Sequence, residues 1–409
     1  MTALMELLGD PQVAYPSVHI AGTNGKTSTA RMVDALLRAV NLRTGRYTSP
    51  HLESMTERIC IDGEPISEQA FVDTYHELTP YLEMVDRRFP SRLSFFEAVT
   101  GMAFAAFAAA PVDVAVVEVG MGGRLDATNI VRAPVSVVTP VDLDHQAHLG
   151  NTIAQIASEK AGIIKSGQTA VLSRQHPDAA EVLSARAREV GADVVRECVD
   201  FAVRERRIAV GGQLLTIAGL RRTYPEVFLP LHGEFQASNA AVALAAVESF
   251  LSEEHPLDVE LVREAFAGIS SPGRLEVVRA TPTVIVDASH NPAGAAVTAR
   301  ALQEEFAFSR LIGVVGALAD KDVRGILAAL RPALSELIAT RSSSHRALSP
   351  ADLARQAEEF FDRSAVVAVD RLDEALDLAL ARASDGEGIG VLVTGSVVTA
   401  GEARRLLRR

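Results

Sequence analysis

His19-Ile20-Ala21-Gly22-Thr23-Asn24-Gly25-Lys26-Thr27-Ser28-Thr29 closes an apolar, strand-like run and opens a helical pattern. Glycines in such a turn let backbone N–H groups point inward at an anion. A helix starting near Lys26 adds the positive end of its dipole. Lys26 supplies a mobile cation, and Thr27 or Ser28 a hydroxyl near a phosphate-bound metal. The longer G-x-x-x-x-G-K-[ST] pattern is not met, because Ile20 stands where its first glycine belongs. What remains is the shorter Gly22-Thr23-Asn24-Gly25-Lys26-Thr27, to be weighed against an ordinary strand-to-helix turn.

Composition sets the limits around this loop. A length of 409 residues points to two domains, or three. A hydrophobic share of 48% with 22% charged residues is that of a soluble globular chain. The net charge of −12 argues against broad binding to nucleic acid or anionic membrane. Anionic ligands must then be met by local cations such as Lys26. Two cysteines, Cys60 and Cys198, make no disulfide framework, and no signal peptide is visible, so a cytoplasmic setting is expected. The most apolar run, 95–117, contains Glu97, Pro111 and Asp113 and reads as a buried helix plus a buried strand, not a membrane span.

Outward from the loop, strands are expected at 18–21, 43–48, 112–119, 135–141 and 170–173, with helices between them. Ser67 is a plausible cap for a helix over 67–87, and 94–110 reads as an Ala-rich buried helix. Residues 201–217 alternate and carry Gly211-Gly212, the mark of an antiparallel hairpin. The turn-rich stretch 268–274 is the best boundary, after which the α/β rhythm restarts, with strands at 284–287, 311–315, 336–339, 366–368 and 390–393. The expected class is α/β. It comprises an N-terminal P-loop domain (1–271) with a mainly parallel sheet plus a small antiparallel section, and a smaller Rossmann-like C-terminal α/β domain (272–409).

Ligands of open α/β sheets gather at the carboxyl ends of strands. Ser49, Glu118 and His145 follow or end such strands, and their donor atoms suit Mg²⁺. Each has a plainer reading: Ser49 as turn chemistry before Pro50, Glu118 paired with Arg124, His145 as a satisfied loop histidine. Composition alone makes Lys160 a solvated helix lysine. Asp287 and His290 could hold a ribose or base, or merely cap a helix. Arg274, just past the boundary, could reach across a cleft to phosphate, where a guanidinium suits developing charge.

Taken together these motifs resemble the folylpolyglutamate synthase and dihydrofolate synthase family of the Mur ligase superfamily. The match is carried by the phosphate loop, Thr48-Ser49-Pro50-His51-Leu52, Ser94-Phe95-Phe96-Glu97, the run 118–129 (E-V-G-M-G-G-R-L-D-A-T-N), Asp144-His145, Glu159-Lys160-Ala161-Gly162, His232-Gly233 with Asn239-Ala240, Pro272-Gly273-Arg274-Leu275-Glu276, the run 287–292, the run 316–322 and Val393-Thr394-Gly395-Ser396. It extends over nearly the whole chain in constant order.

The resemblance implies an ATP-dependent ligase. A substrate carboxylate attacks the γ-phosphate of ATP, and the α-amino group of L-glutamate then attacks the acyl phosphate. Gly22, Thr23, Asn24, Gly25, Lys26, Thr27 and Ser28 would hold the triphosphate. Ser49, Glu118 and His145 would position Mg²⁺. Lys160 would be the lysine that becomes carbamylated, which reverses its reading as a solvated residue. Lys26, Lys160, His145 and Arg274 form the catalytic set, and Asn239, Arg274, Asp287 and His290 would bind ATP. Leu93, Ser94, Phe95, Phe96, Leu125, Asp126 and Ala127 would meet the pterin of dihydropteroate or a reduced folate, with Phe96 stacking and Asp126 hydrogen-bonding. Thr27 stands where many folate members carry glycine, and the segment ahead of the loop looks short. A monomer with no nucleic-acid or membrane partner is expected. The alternatives are a Mur-type ligase with a non-folate acceptor, for which no N-terminal UDP-sugar domain is visible, and a nucleotide-binding module that performs no synthesis.

Overall fold

The computed structural model describes residues 1–251 and 256–408. Its contacts divide the chain into two units. The first comprises Met1–Ala209, Gln213–Pro230 and Gln236–Ile269; the second comprises Val210–Gly212, Leu231–Phe235 and Ser270–Arg409.

The first unit is built on an eight-stranded sheet: β1 (Ser17–Ala21), β2 (Thr44–Tyr47), β3 (Ile59–Ile61), β4 (Glu64–Pro65), β5 (Val114–Glu118), β6 (Val135–Val138), β7 (Thr169–Leu172) and β8 (Asp193–Arg196). The order is β4-β3-β2-β5-β1-β6-β7-β8. From β2 to β8 neighbours run parallel, and β3 and β4 add an antiparallel edge. β1, β5 and β6 are buried along their whole length, as runs such as Val114-Ala-Val-Val-Glu118 require of strands covered on both faces. The chain moves from β1 to β2 in one direction and from β5 across β1 to β6 in the other. That reversal is a topological switch point, and the loops after β2, β5, β1 and β6 all leave its carboxyl edge.

Two apolar cores back this sheet. One gathers Leu4, Met5, Tyr47, Phe104 and Phe107 with Ala115 and Val117. The other gathers Ile156, Ile163, Ile164 and Leu183 with Ala21, Val138, Ala170 and Leu172. Each fully buried Leu, Ile or Phe contributes about 1.5–3 kcal/mol of burial free energy.

The region expected as a hairpin is larger. β9 (Ala202–Ala209), β10 (Gly212–Ala218) and β11 (Thr223–Leu229) form a three-stranded sheet in the order β11-β10-β9. The turn at Gly211 was legible, but β11 was not, because Pro225 and Glu226 interrupt its alternation and Glu226 takes a left-handed backbone. β8 was missed for a related reason: it is an edge strand with no fully buried residue.

The second unit holds β12 (Glu276–Ala280), β13 (Thr283–Val286), β14 (Arg310–Val315), β15 (Glu336–Ala339), β16 (Val366–Ala368) and β17 (Ile389–Thr394) in the order β12-β13-β17-β14-β15-β16. All pairs are parallel except β12 with β13. Its core of Leu275, Ile285, Leu302, Leu327, Leu337, Leu353 and Leu392 is its own. Among the described residues no helix is long and apolar enough to cross a membrane.

Candidate active site

The phosphate loop has the backbone its function needs. Gly25 has φ +88°, and a Cβ there would lie 2.6 Å from Asn239 Oδ1. Gly22 is equally constrained, since a Cβ would lie 1.8 Å from Thr139 Oγ1. The helix that follows, Lys26–Ala39, starts on Gly25 with no side-chain cap. Helices elsewhere are capped by Ser67, Ser94, Thr152, Asn291 or Ser396. An uncapped first turn beside glycine leaves N–H groups and a dipole for an anion. The helix begins at Lys26, as expected, four residues ahead of its apolar run, because Lys26 to Thr29 are polar.

Two lysines converge on this loop. Lys26 Nζ donates to the carbonyls of Gly22 and Thr23, both at 3.1 Å. Lys160 Nζ donates to the same Gly22 carbonyl at 2.8 Å. Lys160 is only 4% exposed, so it is no solvated helix lysine. The helix Ile153–Ala161 turns it inward from its last turn. Burial, and then the charge of Lys26, bring its pKa down to about 7, against the opposing pull of Asp144 and Asp126.

Thr27 and Glu118 form the second feature. Thr27 Oγ1 lies 3.0 Å from each carboxylate oxygen of Glu118, and the Ser49 N–H donates to Oε2 at 3.2 Å. The end of β5, the loop after β2 and the first turn after β1 thus meet at one carboxylate. Arg124 does not pair with Glu118; its guanidinium goes to Glu159 at 2.7 Å. His145 follows β6 with a left-handed backbone (φ 51°), its N–H on Asp144 Oδ1 at 2.8 Å. Asn239 is buried, with its amide on Gln236 at 3.0 Å, and Gln236 reaches Ser28 Oγ at 3.3 Å. Thr23 Oγ1 is tied to the Asp142 backbone at 3.0 Å.

On the other side of Glu118 lie the residues expected to meet a pterin. Phe96 turns inward, 6.0 Å from the Tyr47 ring, and a Cβ at Gly120 would fall 2.4 Å from its Cζ. Its neighbour Phe95 is 56% exposed, and the Arg58 guanidinium lies 5.3 Å from its ring centroid. Consecutive residues of a helix diverge by about 100°, so only one of the two rings can face out. Phe95 is the exposed ring and Phe96 the inward one, against Tyr47 and Gly120. Ser94 caps its helix through Glu97, and the Leu93 N–H is held by Asp86. Leu125 is 80% exposed and Ala127 half-buried. Asp126 accepts from Met121 N at 3.0 Å, Thr128 N at 2.9 Å and Thr128 Oγ1 at 2.6 Å; burial nevertheless raises its pKa.

Sequence reasoning passed over Arg58. It is buried, donates to His51 Nδ1 at 3.0 Å and covers Phe95. Its signal was faint, a single cation at the edge of a short strand.

In the second unit, Asp287 closes β13. Its carboxylate accepts from Leu275 N at 2.9 Å, Ser289 N at 3.0 Å and Thr298 Oγ1 at 2.8 Å, which fastens the turn. His290 Nδ1 donates to the Ala288 carbonyl at 3.0 Å. Arg274 is half-buried, with its N–H on Ser271.

Comparison with known proteins adds to this geometry. The Mur ligase middle domain matches residues 20–247, and the Mur ligase glutamate ligase domain matches residues 273–397. The dihydrofolate synthase/folylpolyglutamate synthase of Mycobacterium tuberculosis is 51% identical, over 100% of this chain and 89% of its own. The chain belongs to the dihydrofolate synthase/folylpolyglutamate synthase family of Mur ligases. A crystal structure of the M. tuberculosis folylpolyglutamate synthase complexed with ADP and AMPPCP, 52% identical, superposes with a TM-score of 0.97 over 100% of this chain and 94% of that one. Escherichia coli FolC in complex with DHPP and ADP, 31% identical, gives 0.87 over 100% and 92%. The family assignment and the α/β architecture therefore agree with the reading of the sequence.

Proposed function

We propose that the chain is an ATP-dependent ligase that joins L-glutamate to a folate-type carboxylate, extending reduced folates and also acting on dihydropteroate. One observation carries the reading: Lys26, Lys160 and the Thr27–Glu118 pair surround a phosphate loop in a chain matched over its full length by such synthases.

A carboxylate is a poor electrophile at neutral pH, so it must first be phosphorylated, and the protein's task is alignment and neutralisation of charge. The loop amides and Lys26 take the triphosphate. Lys26 then leaves the Gly22 carbonyl for the transferring phosphoryl group, where charge builds most. Asn239, above Gly25, positions the nucleotide from the buried side. Arg274, Asp287 and His290 are proposed nucleotide contacts of residues 272–409; for Asp287 the role is indirect, through the turn it holds.

Thr27, Ser49, Glu118 and His145 supply oxygen and imidazole donors. No group of three or more His, Cys, Asp or Glu side chains poised for a metal occurs among the described residues. Mg²⁺ is characteristically held by one or two carboxylates together with substrate phosphates, a role Glu118 would fill. Bound there, Mg²⁺ would neutralise phosphate charge. Lys160, with its pKa brought to about 7, offers a neutral amine for carbamylation by carbon dioxide, which would replace a cation with an anion. Phe95, Leu125, Ala127 and Asp126 would face the pterin.

Protein supplied with ATP, Mg²⁺, L-glutamate and either dihydropteroate or tetrahydrofolate should release ADP and incorporate glutamate only when a pterin is present. ADP release indifferent to both pterins would overturn the folate reading. Release without incorporation would favour a nucleotide switch.

A further inference from the structure

His19 is the one imidazole in the fully buried strand β1, and neither phosphate binding nor glutamate transfer uses it. Its Nε2 lies 2.8 Å from Thr128 Oγ1. That hydroxyl lies 2.6 Å from Asp126 Oδ1. A threonine hydroxyl has a single hydrogen, and at this separation from a carboxylate the hydrogen belongs to Asp126. Toward His19 the same oxygen therefore accepts, and the imidazole donates from Nε2. We propose that His19 is a positioning residue for the pterin side of the site, setting the direction of the Asp126 carboxylate through the Thr128 hydroxyl.

Three observations carry the inference beyond a satisfied core histidine. First, Nδ1 is buried and meets no protein partner among the described residues, so Thr128 is the protein bond that fixes the ring. Ser17, two positions earlier on the same face, and Ser136, paired with His19 across β6, have orphaned hydroxyls as well. A buried imidazole among apolar strand neighbours is an expensive choice for packing alone, and the bond to Thr128 is what it gains. Second, the ring is uncharged at working pH, because complete burial and then Lys165 lower its pKa to about 3. It is a fixed dipole and not a counter-ion. Third, the loop it steers is held elsewhere by independent bonds. Lys165 Nζ donates to the Asn129 carbonyl at 2.7 Å, and Asp126 Oδ2 accepts from Met121 N at 3.0 Å. Losing the His19 bond should therefore free the Thr128 hydroxyl to turn and shift the Oδ1 side of the carboxylate, while the bonds from Met121 N and Thr128 N keep the loop in place. The loop presents Met121, 41% exposed, and Leu125, 80% exposed, both just ahead of Asp126 in sequence, an apolar surface with one carboxylate. Such a surface suits a flat heterocycle with N–H groups along one edge.

The inference rests on the proposal that Asp126 meets the pterin, and the test separates the two. Steady-state kinetics are measured with ATP or the pterin substrate varied in turn, for Thr128→Val, Thr128→Ser, His19→Leu, His19→Gln and Asp126→Ala. Thr128→Val and His19→Leu should raise the pterin KM about tenfold, through the Asp126 carboxylate that each leaves misdirected, and leave the ATP KM within about twofold. Thr128→Ser and His19→Gln, which keep the hydroxyl and the donor, should return the pterin KM to within about threefold of the parent. A pterin KM unchanged in Thr128→Val but raised in Asp126→Ala overturns the role of His19 alone. A pterin KM unchanged in both overturns the pterin-side reading, and the role of His19 with it. Equal rises in the two KM values mark a merely structural histidine and also overturn the inference. Should His19→Leu not fold, His19→Met takes its place, since it also removes the donor while leaving the Thr128–Asp126 bond intact.

Discussion

At the scale of the residue, the two lysines show how differently equal charges are legible. Lys26 announces itself, because a lysine after Gly25 at a helix start has few other uses. Its removal should cost a contact made most strongly in the transition state. Lys26→Ala is expected to lower kcat/KM by at least about a hundredfold, with little change in Tm, since its bonds to Gly22 and Thr23 are local. Normal turnover of that variant would refute the assignment of the loop. Lys160 is silent in composition; only its 4% exposure and its bond to Gly22 set it apart. Carbamylation requires the neutral amine. With the pKa near 7, adduct formation should grow as pH rises above 7 and fade below it. Carbon-13 bicarbonate should give a protein-bound carbamate resonance near pH 8 that is absent in Lys160→Arg; a resonance that persists in the variant would place the adduct elsewhere. Phe95 and Phe96 illustrate a third case. Their residue types were legible, but which ring faces outward depends on helix phase, fixed by Tyr47 and Gly120 far along the chain.

At the scale of the element, the buried parallel strands were read to within about three residues, because full burial on both faces leaves continuous apolar runs. The edge strands β8, β11 and β12 escaped, since exposure removes that signal. β1 is the instructive exception among buried strands, for it carries His19. In the unfolded chain this histidine titrates near its ordinary value of 6.5, and in the fold near 3. Between those values the unfolded state holds the extra proton. The stability associated with the neutral ring is thus complete above about pH 6.5 and is lost as pH falls toward 3, at up to about 1.4 kcal/mol per pH unit. Denaturant titrations at pH 7.5 and pH 5 should show the parent losing about 2 kcal/mol more than His19→Gln on acidification. Equal losses would mean that the ring is already open to water in the folded state.

At the scale of the whole molecule, the two units have separate cores: Leu327 lies within 275–392, whereas Phe104 and Ile156 belong to cores of the first unit. Cores that share no residues should lose stability separately. Leu327→Ala is expected to destabilise by about 2–5 kcal/mol. Hydrogen exchange should quicken across β13, β14 and β17 and stay unchanged in β1 and β5; uniform quickening would show that the chain opens as one. Charge is the other property of the whole. A net −12 repels ATP and folate at a distance, whereas Lys26, the cation proposed to take the triphosphate, is held locally on the carbonyls of Gly22 and Thr23. Repulsion therefore governs the approach and attraction only the arrival. Salt shortens the reach of both, to about 8 Å near physiological strength, and it weakens the long-range part more. Stopped-flow association of ATP should thus accelerate with the first additions of salt, the reverse of an electrostatically steered encounter. With Lys26 parked on the loop's own carbonyls, this is an enzyme that waits for its nucleotide at the threshold and does not summon it from solution.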